Sequence, residues 1–248
     1  MIKIKSLQEV QKMRVAGRIT AETFEVLKDH IRPGITTGEL DRIAADYIKK
    51  CGAGCAFYNY NGYPGHICIS VNEEVVHGIP GKRVLNEGDI VSVDLGATYD
   101  GYHGDAARTY AVGEISPEAQ RLISVTEQSF FEGIKMAASG NRVFDISASI
   151  QSFVEQNGYS VVRALVGHGI GSNLHEDPEV PNFGTKGRGP RLVSGMTIAV
   201  EPMVNMGTHS VLTLPDEWTV VTADGKLSAH YENTILITDN GAEILTKC

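Results

Sequence analysis

The 248-residue sequence contains no apolar run of the roughly 20 residues that a membrane-spanning helix needs. After the lysines of the opening MIKIKSLQEV there is no apolar segment and no small-residue cleavage site, so no signal peptide is read. Bases are in short supply, 22 Lys and Arg against 30 Asp and Glu. The resulting net charge of −8 argues against a general binder of nucleic acid or anionic membrane. Cysteine is scarce as well. Cys51 and Cys55 lie four apart, but with only Cys68 and Cys248 besides, no second pair and no nearby His-x-x-x-His completes a zinc site. Reduced thiols in a cytoplasmic protein are the expectation. Aromatic residues make up 7% and Trp218 is the single tryptophan, yet a hydrophobic content of 42% suffices for a sizeable core. The length fits one large α/β domain or two small ones.

What is present is said nearly twice. Ser6-Leu7-Gln8-Glu9 is a capping box that opens a helix running to about His30, before Arg32-Pro33-Gly34. Thr36 and Glu39 open a second helix, which Gly52 ends. Ser116-Pro117-Glu118 opens a third, with proline at its first position, and a fourth lies between Gly140 and Gly158. The frames Gly34 to Gly52 and Gly140 to Gly158 have equal spacing, and Leu40, Tyr47 and Ile48 correspond to Ile146, Phe153 and Val154. VLNEGDIVSVDLG then aligns with RLVSGMTIAVEPM, matching Leu85 to Leu192, Gly88 to Gly195, Val91 to Ile198 and Val93 to Val200. The pattern predicts two αβ halves, about 1–113 and 114–248, with strands packed into one sheet or barrel-like core and helices outside.

In VSVDLGATYDGYHGDAARTY the Asp100-Gly101 turn folds two strands back on each other. Counting from that turn sets Asp94 opposite Ala107 and puts Asp105 on the same face, a diagonal neighbour. The internal alignment matches Asp94 to Glu201, and the following strands, YHGDAARTY and AHYENTILI, match Asp105 to Glu232. Four acids thus converge on one centre. They must be protonated, paired with a base, or bound to metal. Arg108 is the nearby base, and alternation puts it on the face opposite Asp105. Two divalent ions would balance the four charges and could share a water at a separation of about 3.5–4 Å. Oxygen-rich ligation with one imidazole suits Mn(II), Fe(II), Co(II) or Zn(II). His168 is the favoured imidazole, in the glycine-rich VGHGIGSNLHEDP that follows the apolar strand VVRALV. The glycines there also match a weak dinucleotide pattern, but Pro178 and Pro181 cut off the helix such a loop must feed.

DLGATYDGYHGDAARTY, GHGIGSNLHEDP, IAVEPMV and AHYENTILIT together resemble the type I methionine aminopeptidases, over essentially the whole chain. The resemblance implies a duplicated "pita-bread" α/β fold, a single catalytic domain over 1–248, and removal of the initiator methionine from nascent proteins with a small second residue. It implies that Asp94, Asp105, His168, Glu201 and Glu232 hold two divalent ions (Co, Mn, Fe, Zn or Ni). Asp105 and Glu232 would bridge the ions, with His168 and Glu201 completing the first ion's shell. Glu201 would also take the proton of the attacking water. His77 and His175 would contact the scissile amide and stabilise the tetrahedral intermediate. Tyr60, Tyr63, Cys68 and Trp218 would line the methionine pocket, with Phe57 and Leu174 at more variable positions. His230 has no counterpart among the motifs and is expected to be structural.

Two other readings share this fold. Prolidase-type X-Pro aminopeptidases use the same ligands but usually carry a large domain ahead of the catalytic one, and only about 75 residues precede His77 here. Non-enzymatic pita-bread binding proteins typically lose ligands, whereas all five are present. The substrate partners implied are nascent N-termini and peptides beginning with methionine, and a monomer is expected. Lys3, Lys5, Lys12 and Arg14 are read either as a solvated helix face or as a contact with the ribosome.

Overall fold

A computed structural model describes all 248 residues. Four helices form where the capping signals stand: α1 (Leu7–Lys28), α2 (Thr37–Lys50), α3 (Pro117–Ile134) and α4 (Val143–Gln156). None is long and apolar enough to cross a membrane. In α1 the Ser6 amide donates to Glu9 Oε2 at 2.7 Å and the Glu9 amide to Ser6 Oγ at 3.4 Å, so two otherwise unpaired helix-start donors are satisfied. Thr36 and Glu39 do the same for α2. α4 starts without a hydroxyl cap, its Asp145 carboxylate accepting from the Arg142 amide at 2.8 Å.

Nine strands make one curled antiparallel sheet: β1 (Gly54–Cys55), β2 (Cys68–Val71), β3 (Ile90–Tyr99), β4 (Tyr102–Ala111), β5 (Gly167–Gly169), β6 (Glu176–Val180), β7 (Thr197–Val200), β8 (Glu232–Thr238) and β9 (Gly241–Ile244). The order is β1-β3-β4-β8-β7-β5-β6, with β2 on β3 and β9 on β8. The Asp100-Gly101 hairpin has positive φ at both residues, 46° and 77°, as a two-residue type I′ turn requires. It sets the expected register, Asp94 against Ala107 and Gly96 against Asp105.

The repetition in the sequence is a repetition in space. α2 and α4 both have 14 residues. The framing glycines adopt matching positive φ values, 92° and 97° at Gly34 and Gly140, 74° and 84° at Gly52 and Gly158, and 90° at both Gly88 and Gly195. One apolar core joins α1 and α2 to β2, β3 and β4, around Leu40, Ile48, Leu85 and Val93. A second joins α3 and α4 to the other half, around Ile146, Val154, Leu192 and Val200. The halves meet where β4 pairs with β8, Glu232 opposite Ala107 and Asn233 opposite Ala106. A smaller cluster lies at this junction and includes Met13, Phe57, Tyr63, Cys68, Ile170 and Leu174.

Three expectations change. VVRALV is not a strand: only Ser160–Val161 pairs, and the chain bends where Arg163 turns out to meet Glu155 and the Phe183 ring. His168 stands on strand β5 and not in a loop. Its flanking glycines serve close packing, since a Cβ at Gly167 would lie 2.4 Å from Ala199 O and one at Gly169 2.1 Å from Asp177 O. The basic N-terminal residues are not a free solvated face. Lys3 and Lys5 precede the helix and pair with Glu176, Lys12 pairs with Asp100, and Arg14 makes a two-pronged pair with Glu243. Of these four only Lys5 is withdrawn from solvent, its side chain 4% exposed.

The Glu9 carboxylate also accepts from the Tyr102 hydroxyl at 2.6 Å, tying the start of α1 to β4. That bond first, and then the Ser6 donors, hold the Glu9 carboxyl down to about 2 from an ordinary 4.5. A depressed carboxyl stabilises the fold above its unfolded value and loses that contribution as pH falls through about 2. Chemical denaturation is expected to show Ser6→Ala less stable by about 1 kcal/mol. It should also show Glu9→Gln with a flatter decline of stability between pH 4.5 and 2.

Candidate active site

Asp94 leaves β3 and Asp105 leaves β4 on the face where β4 meets β8. Glu201 follows β7 directly and Glu232 opens β8. The four sequence-matched acids therefore come together at the seam between the halves, and β5 adds His168 beside them. His168 Nε2 lies 3.6 Å from Glu201 Oε1 and 3.9 Å from Asp105 Oδ2. Single ligand atoms of Asp105, His168 and Glu232 fall within 4.8 Å of one another. The other ring nitrogen of His168 is 2.9 Å from Gly169 O, so Nδ1 carries the proton and Nε2 presents a lone pair to the acids.

Burial drives this cluster. Asp94, Glu201 and Glu232 are pushed well above the carboxylate range, first by loss of water and then by each other's charge, and Asp105 rises to about 7. Arg108 does not neutralise them. It sits behind the sheet, its guanidinium 4.3 Å from the Tyr231 ring centre and 5.3 Å from that of Phe24, and donates to the Glu232 carbonyl and to Asn233 Oδ1. Asp94 Oδ1, Asp105 Oδ1 and Glu232 Oε1 are buried without any hydrogen-bond partner. Buried oxygens rarely go unpaired, and carboxylate oxygens with an imidazole form the donor set of a hard-to-borderline divalent cation. The residues fit a metal centre.

The acids floor a cavity of about 240 Å³. The residues that sequence reasoning placed at the site line it: Phe57, Tyr60, Tyr63, Cys68, His77, His175 and Trp218, besides the four acids and the His168 imidazole. Leu174 and Asn61 line it too, and Asn61 carried no sequence signal beyond lying between Tyr60 and Tyr63. Tyr63 and Trp218 meet edge to face at 5.1 Å, and the Tyr63 hydroxyl is anchored on Gly78 O at 2.9 Å. Cys68 is buried opposite Asp94, its thiol pushed up by burial and then by that carboxylate, so it is a small apolar wall and not a nucleophile.

His77 adopts φ 60°, a conformation costly for a residue with a Cβ. Burial, and then His175, lower its pKa to about 4, so it is neutral at pH 7. His175 is lowered by burial and then by His103. Its ring packs edge-on to His168 with centres 4.2 Å apart, and its Nδ1 is 2.7 Å from the Tyr60 hydroxyl. His230, expected to be structural, is fully buried with Nε2 4.0 Å from Glu201 Oε2 and 3.9 Å from Glu232 Oε2, both ring nitrogens unpaired. Its position two residues before Glu232 put it on the acids' face, a strand-alternation signal present in the sequence.

The profile of metallopeptidase family M24 matches residues 11–239. A methionine aminopeptidase of Clostridium acetobutylicum is 60% identical over 249 residues, covering all of both chains. Methionine aminopeptidase 1 of Bacillus subtilis is 56% identical over 247 residues, again covering all of both. Among solved structures, a methionine aminopeptidase of Thermotoga maritima superposes with a TM-score of 0.99 at 49% identity over the full length of both chains. An X-Pro aminopeptidase of the same organism shares the fold at a TM-score of 0.79 and 24% identity, but this chain covers only 62% of it. The curled sheet with its four outer helices is thus the duplicated pita-bread architecture. The chain belongs to metallopeptidase family M24, in its methionine aminopeptidase branch.

Proposed function

We propose that this chain hydrolyses the bond after an N-terminal methionine, the whole of 1–248 acting as one catalytic unit built from halves 1–113 and 114–248. The observation that carries the reading is the cluster of buried, partly unpaired carboxylates at the floor of a cavity walled by Tyr60, Tyr63, Cys68 and Trp218. The walls take an unbranched thioether, because aromatic rings make favourable contacts with sulfur and the cavity is closed at the acid end. Phe57 and Leu174 extend the apolar wall. The acidic floor attracts the substrate's α-amino group, so a chain end is accepted and an internal segment is not.

Asp94, Asp105, His168, Glu201 and Glu232 would hold two divalent ions (Mn, Fe, Co, Zn or Ni). Such ions supply Lewis acidity toward the scissile carbonyl and a water acidic enough to ionise near neutral pH. Glu201 would accept a proton from that water. His77 and His175, neutral at pH 7, donate hydrogen bonds to the scissile amide and to the oxygen that gains charge. With the Tyr60 hydroxyl, 2.7 Å from His175 Nδ1, acting as the donor, the ring proton would sit on Nε2 for this purpose. The relatives' methionine aminopeptidase activity supports a preference for a small second residue. This reading places the enzyme in the cytoplasm as a monomer acting on nascent polypeptides. The partly exposed Lys3, Lys12 and Arg14 are the candidates for ribosome contact, and changing them to Glu is expected to weaken co-sedimentation with ribosomes.

Assayed for released amino acid, metal-loaded protein is expected to free methionine from Met-Gly-Met-Met and to leave Ala-Pro-Ala intact. Glu201→Gln should lower kcat by at least about 100-fold. Cleavage of the proline peptide would instead support an X-Pro aminopeptidase. In calorimetry, chelator-stripped protein should gain Tm as Mn(II) is added, with a stabilisation of about 2.7 kcal/mol at a hundredfold excess over Kd. Asp105→Asn and Glu232→Gln should abolish most of the gain, and a Tm indifferent to metal would refute the ligand assignment.

A further inference from the structure

We propose that residues 1–6 form a strap that positions His175, with Lys5 as the positioning residue that holds it. The inference rests on the role given to His175 above.

His175 ends an irregular turn between β5 and β6, its ring set in the cavity wall against His168 while part of the residue stays open to solvent. Its side chain has one hydrogen-bond partner, Tyr60, so its place depends on the backbone on either side. The next residue, Glu176, is where that backbone is fastened. Glu176 Oε1 closes the turn by accepting from the Asn173 amide at 3.1 Å and from Ser172 Oγ at 3.3 Å. Its Oε2 receives Lys5 Nζ at 2.7 Å, and the two side chains are only 4% and 3% exposed. Residues 1, 3 and 5 all reach this segment. The Met1 ammonium pairs with Asp177, and Lys3 Nζ lies 3.3 Å from Glu176 Oε1. The Lys5 amide donates to Gly195 O at 2.8 Å, which fixes the strap to the turn that feeds β7.

Gly171 shows how closely the lysine packs on the turn: a Cβ there would lie 2.4 Å from Lys5 Cε and 2.9 Å from Lys5 Nζ, so a side chain at this position would push the lysine end aside. His103, on the strand that carries Asp105, grips the same residue, its amide and Nδ1 both 3.0 Å from Gly171 O. A buried ion pair adds little net stability relative to a well-packed apolar pair, but removing one partner strands a charge. Here the stranded charge would be Glu176, next to His175. The turn would then open to hydrate it and carry the imidazole away from the substrate.

The test is steady-state release of methionine from Met-Gly-Met-Met, with Mn(II) affinity measured separately by titration calorimetry. Lys5→Met should lower kcat by on the order of 10- to 100-fold, the range for a reacting group displaced by about 1 Å. KM and Mn(II) affinity should stay within about twofold of wild type, as expected when only transition-state contact is lost. Lys5→Arg should recover most of the rate, and Gly171→Ala should reproduce the loss. In a His175→Ala background, Lys5→Met should cost nothing further, because it acts through the missing ring. Should Lys5→Met not fold, Lys5→Gln, which keeps a polar side chain but still removes the charge that pairs with Glu176, is assayed in its place with the same direction of effect expected. Wild-type kcat in these variants, an equal fall in Mn(II) affinity, or additive losses in the His175→Ala background would each overturn the strap. If His175→Ala itself turned over like wild type, the role of His175 would fall and the strap with it. If only His175→Ala were impaired, the strap alone would fall.

Discussion

Four carboxylates buried within reach of one another are the constraint around which this molecule is organised. Removing even one charged carboxyl from water costs several kcal/mol, and like neighbours add to it. Uncompensated, Asp94, Glu201 and Glu232 rise far above their ordinary pKa, and Asp105 reaches about 7. The one close base, Arg108, is occupied behind the sheet between two aromatic rings and cannot enter the cluster. A cation supplied from outside would resolve the conflict, and Asp94, Asp105 and Glu232 each keep a buried oxygen without a partner. The cost of burial is thereby converted into affinity for the group that performs the chemistry.

Duplication is how a sheet can hold such a cluster. Each half buries its own apolar core between two helices and its strands, so neither depends on the acids for cohesion. The acids lie at the seam, where β4 pairs with β8 and equivalent positions of the two halves face each other. Departures from the twofold pattern supply function. The first half contributes Phe57, Tyr60, Tyr63, Cys68 and the strained His77, while the second contributes His168, the His175 turn and Trp218. A symmetric floor for charge and an asymmetric wall for shape fit a peptide, which has distinguishable ends.

The wall also shows why loops near the chemistry need anchoring from afar. His77 is kept at a positive φ by buried neighbours on both sides, among them Val76 and Gly78. His175 lies on a turn without regular structure, fastened by His103 from one side and by Lys5 through Glu176 from the other. Residues five and one hundred and three thus serve a single turn, although nothing in their local sequence marks them.

Much of this was legible in the chain itself. Capping boxes at Ser6 and Thr36, proline at the start of α3 and the paired glycine frames marked all four helices. Asp100-Gly101 set the hairpin register, and with it the shared face of Asp94 and Asp105. Those signals are local: hydrogen bonds and turn geometry span a few residues, and the strand period of two carries them onward. What sequence could not decide were contacts between distant segments of irregular chain. VVRALV had the composition of a strand but bends where Arg163 turns outward. Lys3 and Lys5 looked like solvent charges, yet they pair with an acid some 170 positions away. His230 lay on the acids' face by alternation, but only packing brought it within 4.0 Å of Glu201. Chemistry-bearing residue types and the period of their strands were written in the sequence. Which cavity they shared, and which charges met whom, was decided by the folding of one half against the other, because pairing energies between remote groups depend on distances that no local pattern encodes.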